Sequence, residues 1–239
     1  AGIGHNAKPH FFLGRLERRQ QSGAYSVLIS GREYARDLGA PPAMAQGTNI
    51  YLRRESLRRM LWEKLESWRW SRPDNALGRA FACYDFAADL EGALDEMTEM
   101  EIEAALLHEI GEYRAGLLLG EAWNDMVLGL AGTPAELMSR SVRDHLADCL
   151  ITLPILAQRG APASLHFYLG NLTHMRKEIF PGLETAYEEW LASGNTRSIR
   201  DLADRGQAHW AGLSRRMLNI EPGPTAAEEV ARLVQENYL

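Results

Sequence analysis

The run YSVLIS (Tyr25–Ser30), followed by Gly31, carries the strand-like signal of this chain. Aromatic and β-branched residues bounded by a glycine suit a short strand or an extended arm. The stretch downstream, GAPPAMAQGTN (Gly39–Asn49), has the glycine and proline content of a loop. With strand-like evidence confined to this one piece, residues 1–51 are expected to form an irregular N-terminal arm and loop with at most one short strand. His5 and His10 fall in its Gly-rich beginning, where a frayed end is the ordinary expectation.

Outward from that arm the periodicity becomes helical. YLRRESLRRMLWEKLESWRW (Tyr51–Trp70) sets Leu57, Leu61, Leu65 and Trp68 on one face. Pro73 breaks it, and NALGRAFACYDFAADLEGALDEM (Asn75–Met97) reads as a second helix. Thr98 and Glu101 have the spacing of a capping box, with Met97 and Ile102 as its hydrophobic staple, so a third helix is expected from Thr98 to about Leu130. Thr133, Pro134 and Glu136 repeat that grammar and open a fourth helix reaching toward Leu156, where Pro154 would kink the last turn. Further helical segments follow Ser164, Pro181 and Asn195, and Thr225 opens the last one after the EPGP linker. The expected fold is all-α: a multi-helix globular bundle of about eight helices with an irregular N-terminal arm. Its organisation is the arm (1–51), a helical core domain (52–220), and a linker with the C-terminal helix (221–239).

Composition narrows the function classes. The 239 residues carry a formal charge of −6, without the basic excess of a dedicated DNA binder. No apolar run is long enough to cross a bilayer or to serve as a signal peptide. Cys83 and Cys149 are too few for a disulfide framework or a thiolate zinc site, and both sit in apolar runs. These features point to a cytoplasmic protein with two buried thiols. The helix at Tyr51–Trp70 interleaves Arg53, Arg54, Arg58, Arg59 and Arg69 with tryptophans, which would suit an anionic ligand. Glu55, Glu63 and Glu66 nearby make a salt-bridged solvent face the plainer reading.

The chemistry-bearing stretch is LLHEIGE (Leu106–Glu112). His108 and Glu112 form an i, i+4 pair, away from the main apolar face. The next helix carries Ser141, His145, Asp148 and Thr152 in one stripe, with Asp148 at the mouth of the apolar run CLITLPIL. A carboxylate there demands a partner, and Asp144 could join it. A tight antiparallel turn at Gly132 would place Glu112 opposite Thr152 and Asp148 opposite Gly116, offset by about one turn, or ~6 Å. His108 would then stand about 12 Å along the axis from Asp148, so a third helix must complete any site; His166 or His174, with Asn171, can supply it.

Two functional readings follow. In the first, His108, Glu112, Asp148 and His166 hold iron or manganese, with zinc as a further option, in a metal-dependent enzyme acting on a small-molecule substrate. Glu109 or His145 would then shuttle protons. In the second, the chain is a non-catalytic interaction or scaffold protein. Glu112 and Asp148 then pair with groups such as Arg143 or Tyr113, and His108 is a hydrogen-bonded core residue. A homo-oligomer is compatible with both.

Overall fold

The computed structural model describes residues 2–3, 9–37 and 41–239; His5 lies outside them. Its architecture corrects the all-α expectation. The chain is mixed, 66% helical, with a four-stranded sheet at the N-terminal end. The strands are β1 (Gly2–Ile3), β2 (Pro9–His10), β3 (Phe12–Ser22), β4 (Tyr25–Arg36), β5 (Ala43–Gln46) and β6 (Asn49–Arg53). The expected irregular arm is therefore a sheet, ordered β3-β4-β6-β5. β3 and β4 form an antiparallel hairpin around Gly23, β5 and β6 a second one around Gly47, and β4 pairs parallel with β6. Both turn glycines have positive φ, 43° and 57°, where a Cβ is disfavoured.

Eleven α-helices follow among the described residues: α1 (Arg54–Ser71), α2 (Ala76–Phe81), α3 (Leu90–Leu119), α4 (Glu121–Gly129), α5 (Pro134–Ala147), α6 (Leu153–Arg159), α7 (Pro162–Asn171), α8 (His174–Ile179), α9 (Gly182–Ser193), α10 (Arg197–Leu218) and α11 (Ala226–Gln235). None of the described helices is long and apolar enough to cross a membrane. The chain divides into two compact units, one of residues 9–110 and 160–171, the other of residues 111–159 and 172–239. Helix α3 passes from the first into the second.

In the first unit, Val27 pairs with Ile50 and Ile29 with Leu52, giving the sheet one apolar face. Leu57, Leu61 and Leu65 of α1 cover that face, and Phe81, Leu94, Met97, Ile102 and Phe167 complete the core. The arginines of α1 are taken up by acids. Arg54 meets Glu99 at 2.6 Å, and Arg58 meets Glu91 at 2.5 Å and Asp95 at 2.7 Å. At the sheet–helix junction Arg53, with 0% side-chain exposure, forms a two-pronged pair with Glu33, both contacts at 2.8 Å. Cys83 lies in the turn after α2 and is exposed, against the expected buried thiol; Cys149 is buried.

Several helix boundaries differ from those the sequence suggests, each for a visible reason. Thr98 is no cap: α3 is already under way, and its hydroxyl donates back to the Leu94 carbonyl at 2.6 Å. The segment to Leu130 breaks at Gly120, whose φ of 70° ends α3 and starts α4. Thr133 does cap α5, accepting from the Glu136 amide, while the Glu136 carboxylate takes the Gly132 amide at 2.9 Å. Between α5 and α6, Asp148–Thr152 forms a π-helical turn, with the Leu153 amide donating to the Asp148 carbonyl five residues back. Pro154 follows directly. Its ring crowds the carbonyl four residues earlier and it has no N–H to give, which the wider turn accommodates.

The second unit is organised around α10, which touches α5, the π turn, α6 and α9. Leu202, Trp210, Leu213 and Met217 form its buried stripe, Val142, Leu146, Leu153 and Trp190 are buried on the neighbouring helices, and Phe180 meets Trp210 edge to face at 5.2 Å.

Candidate metal centre

The site begins with a glycine. A Cβ on Gly111 would lie 2.4 Å from the Ala147 carbonyl oxygen, so the missing side chain lets α3 press its backbone against α5. This contact also corrects the expected register. Gly111 meets Ala147 rather than the residue beside Thr152, more than a helical turn away, because α4 and the Gly120 break stand where a tight hairpin was expected.

The contact brings Glu112 beside the arginine and acid of α5. Arg143 Nε donates to Glu112 Oε1 at 3.1 Å, and Arg143 Nη2 donates to Glu112 Oε2. An oxygen of Glu112 and one of Asp144 also lie within 4.8 Å of each other. His108 precedes Glu112 by one turn of the same helix, with a ring nitrogen within 4.8 Å of a Glu112 oxygen. All three are half-buried, wet enough for exchange and dry enough for charges to be felt.

Behind this cluster sits a clamp on Arg176 of α8. Arg176 Nη2 donates to Asp148, which is fully buried, and Arg176 Nε stands 4.0 Å from Asp144 Oδ2. His145 Nε2 lies 2.9 Å from the Arg176 carbonyl. Only an N–H can bond a carbonyl, so Nε2 carries the proton and the neutral ring has its lone pair at Nδ1. Burial, reinforced by the Arg176 charge, pushes the His145 pKa down to about 3. The ring stacks on Trp210 at 5.3 Å and meets the edge of Phe180 at 5.0 Å. His145 thus holds the Arg176 backbone while Asp148 holds its side chain.

The chain belongs to the DUF6866 family.

Two models match it: the C-terminal domain of this family of unknown function over residues 58–237, and its N-terminal domain over residues 1–53. The boundary between the two matched domains falls where β6 gives way to α1, although the sheet and α1 share one core. No curated protein and no solved structure matches the chain.

The candidates from sequence are distributed as follows. His108 and Glu112 share α3 as the spacing required. Asp148 is bound to Arg176, and Asp144, one turn earlier, is the acid beside Glu112. His166 lies half-buried on α7 in the first unit, its pKa lowered by burial and by the Arg79 charge. His174 is almost fully exposed at the start of α8. Glu109 is buried. Arg176 is the residue that sequence reasoning passed over. The signal for it was the demand of Asp148 for a cation, and the supplier lay on a short separate helix.

Glu101 is no cap but a buried acid of the first unit, accepting from Ser164 Oγ at 2.9 Å. Burial raises its pKa to about 7 from 4.5, with the Ser164 bond opposing the shift. A carboxyl whose folded pKa is raised favours the fold at low pH, and that contribution is lost as pH rises through about 7. Glu101→Gln does not titrate. Its stability relative to wild type is therefore expected to improve as pH rises from 4.5 to about 7 and to level off above that, in urea denaturation; a constant difference would contradict the raised pKa.

Proposed function

We propose that this chain is a metal-dependent enzyme whose divalent ion, iron or manganese, is held by Glu112 and Asp144 with His108 as third ligand. The observation that carries this reading is the approach of Glu112 and Asp144 to within 4.8 Å, with an imidazole one turn away on the same helix. One imidazole with two carboxylates is a donor set that iron and manganese favour, and zinc also accepts. The pairing with Arg143 does not disqualify Glu112, because an ionised carboxylate accepts at about four positions and Arg143 uses two. A bound ion would supply Lewis acidity or an activated water to a small-molecule substrate. The chain's own contribution is orientation: Arg143 fixes the Glu112 carboxylate, and the Arg176 clamp fixes the end of α5 that bears Asp144.

A second reading rests on the ion pairs themselves. If Glu112–Arg143 and Asp148–Arg176 serve only to lock α5 in place, the chain is a non-catalytic scaffold. Calorimetric titration of tag-free protein with Mn(II) separates the two. The enzyme reading expects one equivalent bound, with affinity reduced at least tenfold in Glu112→Gln and in Asp144→Asn. No binding, or binding indifferent to both substitutions, supports the scaffold and removes the metal.

A further inference from the structure

The N-terminal sheet has a feature the metal centre does not use. β3 lies at the edge of the sheet and is eleven residues long, with nearly every side chain exposed. A long exposed edge presents a row of backbone N–H and C=O groups on which another strand can form. Its first half is irregular: the register against β4 shifts at Leu13/Gly14, Gly14/Leu16 and Leu16/Arg18. Such bulges re-aim side chains, and here they border a hollow of about 280 Å³. Its lining is mainly apolar, including Phe12, Leu16, Leu28, Met44 and Tyr51. Leu13 and Leu16 are 61% and 55% exposed at its rim.

The charge around this edge runs against that of the chain. Arg15, Arg18, Arg19, Arg32 and Arg36 stand on β3 and β4 within a protein of net charge −6. The acids there are Glu17, which reaches Arg15 at 3.5 Å, and Glu33, which pairs with Arg53 at 2.8 Å and reaches Arg36 at 3.6 Å. No carboxylate among the described residues pairs with Arg18 or Arg19. A second copy is a poor occupant, because a symmetric antiparallel β3 pairing over the full strand is centred on Glu17 and places Arg15 opposite Arg19 and Glu17 opposite its own copy. A nucleic acid is disfavoured because the two rings of the hollow, Phe12 and Tyr51, are packed edge to face at 6.0 Å rather than offered for stacking.

We propose that the β3 edge and its hollow bind an extended acidic segment of a partner protein by strand addition. The partner's backbone pairs with β3, one apolar side chain enters the hollow beside Leu16, and its acids, on the opposite face of the added strand, meet Arg18, which pairs with core-facing Ile29. The test is fluorescence anisotropy with a labelled peptide of alternating glutamate and valine, set against its lysine–valine counterpart and a copy methylated on alternate amide nitrogens. The expected result is binding of the acidic peptide at least tenfold tighter than either control. That binding should weaken at least tenfold in Arg18→Glu and in Leu16→Glu, both surface changes whose folding circular dichroism verifies. The proposal is overturned by no acidic-peptide binding at about 1 mM, by equal binding of the lysine peptide, or by binding that survives amide methylation. Binding of phosphatidylglycerol vesicles without the peptide, or a dimer in sedimentation velocity without peptide binding, overturns it equally.

Discussion

Arg53→Met is expected to destabilise the protein by about 3–5 kcal/mol, the cost of leaving a buried carboxylate without its cation. The guanidinium is fully enclosed. Its Nε and Nη2 donate to the two oxygens of Glu33, and Nη1 donates to the Pro41 carbonyl, all at 2.8 Å. The Phe12 ring lies 4.7 Å from its Cζ. Glu33 has 5% side-chain exposure and also accepts from Ser56 Oγ at 3.0 Å; the partly exposed Arg36, 3.6 Å away, is a weaker second cation. Methionine fills most of the volume, so the loss is electrostatic rather than a cavity. The pair joins β4 to the last residue of β6, where the sheet turns into α1, so the loss is expected to loosen the whole N-terminal module. Replacing both partners by Arg53→Met/Glu33→Leu is expected to recover more than half of the loss, since no fully buried charge is then left unpaired and Arg36 keeps its access to water. Urea denaturation of the two single variants and the double variant checks this; additive losses would mean that the ion pair is not the cause.

The second large effect concerns two glycines of one helix. Gly111→Ala is expected to cost about 2–3 kcal/mol, because the added methyl lands 2.4 Å from a backbone oxygen that cannot rotate aside. Gly116, five residues on in α3, has nothing within 4 Å of an added Cβ. There alanine brings only its better helix propensity, and Gly116→Ala is expected to stabilise by about 0.5–1 kcal/mol. The intrinsic preference is the same at both sites, so the opposite signs isolate the close approach of α3 to α5. The same change should disturb the placement of Glu112 beside Arg143 and Asp144. Two stabilising substitutions would mean that Gly111 does not set that approach.

Much of the helical part was legible because its punctuation is local. Thr133–Pro134–Glu136 and Gly194 mark helix ends by residue type alone, and the structure has ends there. The sheet was not legible, for physical reasons specific to each strand. β3 is an exposed edge strand rich in Arg and Gln, so no apolar alternation marks it. β5 is four residues long and follows two prolines. β6 runs without a break into α1, so Ile50 and Leu52 blend into the helical pattern that begins there. The Thr98–Glu101 capping box misled because the same spacing occurs inside a helix. The missing clue was any breaker before Thr98, and Glu101 proves to be an acid buried by tertiary packing.

The site was partly visible. The pairing of His108 with Glu112 follows from spacing alone, and Arg143 as the partner of Glu112 was within reach of one-helix-to-next reasoning. The choice of Asp144 over Asp148 as the acid beside Glu112 was not. It depends on the Gly111–Ala147 contact and on Arg176, which arrives from a helix 28 residues beyond Asp148.

The claim of a metal centre is tested most directly by electron spin-echo modulation on the protein loaded with one equivalent of Mn(II). Nitrogen modulation from a directly bound imidazole is expected, and it should disappear in His108→Gln while the protein stays folded. A spectrum of hydrated manganese without nitrogen coupling, or coupling that persists in His108→Gln, would contradict it.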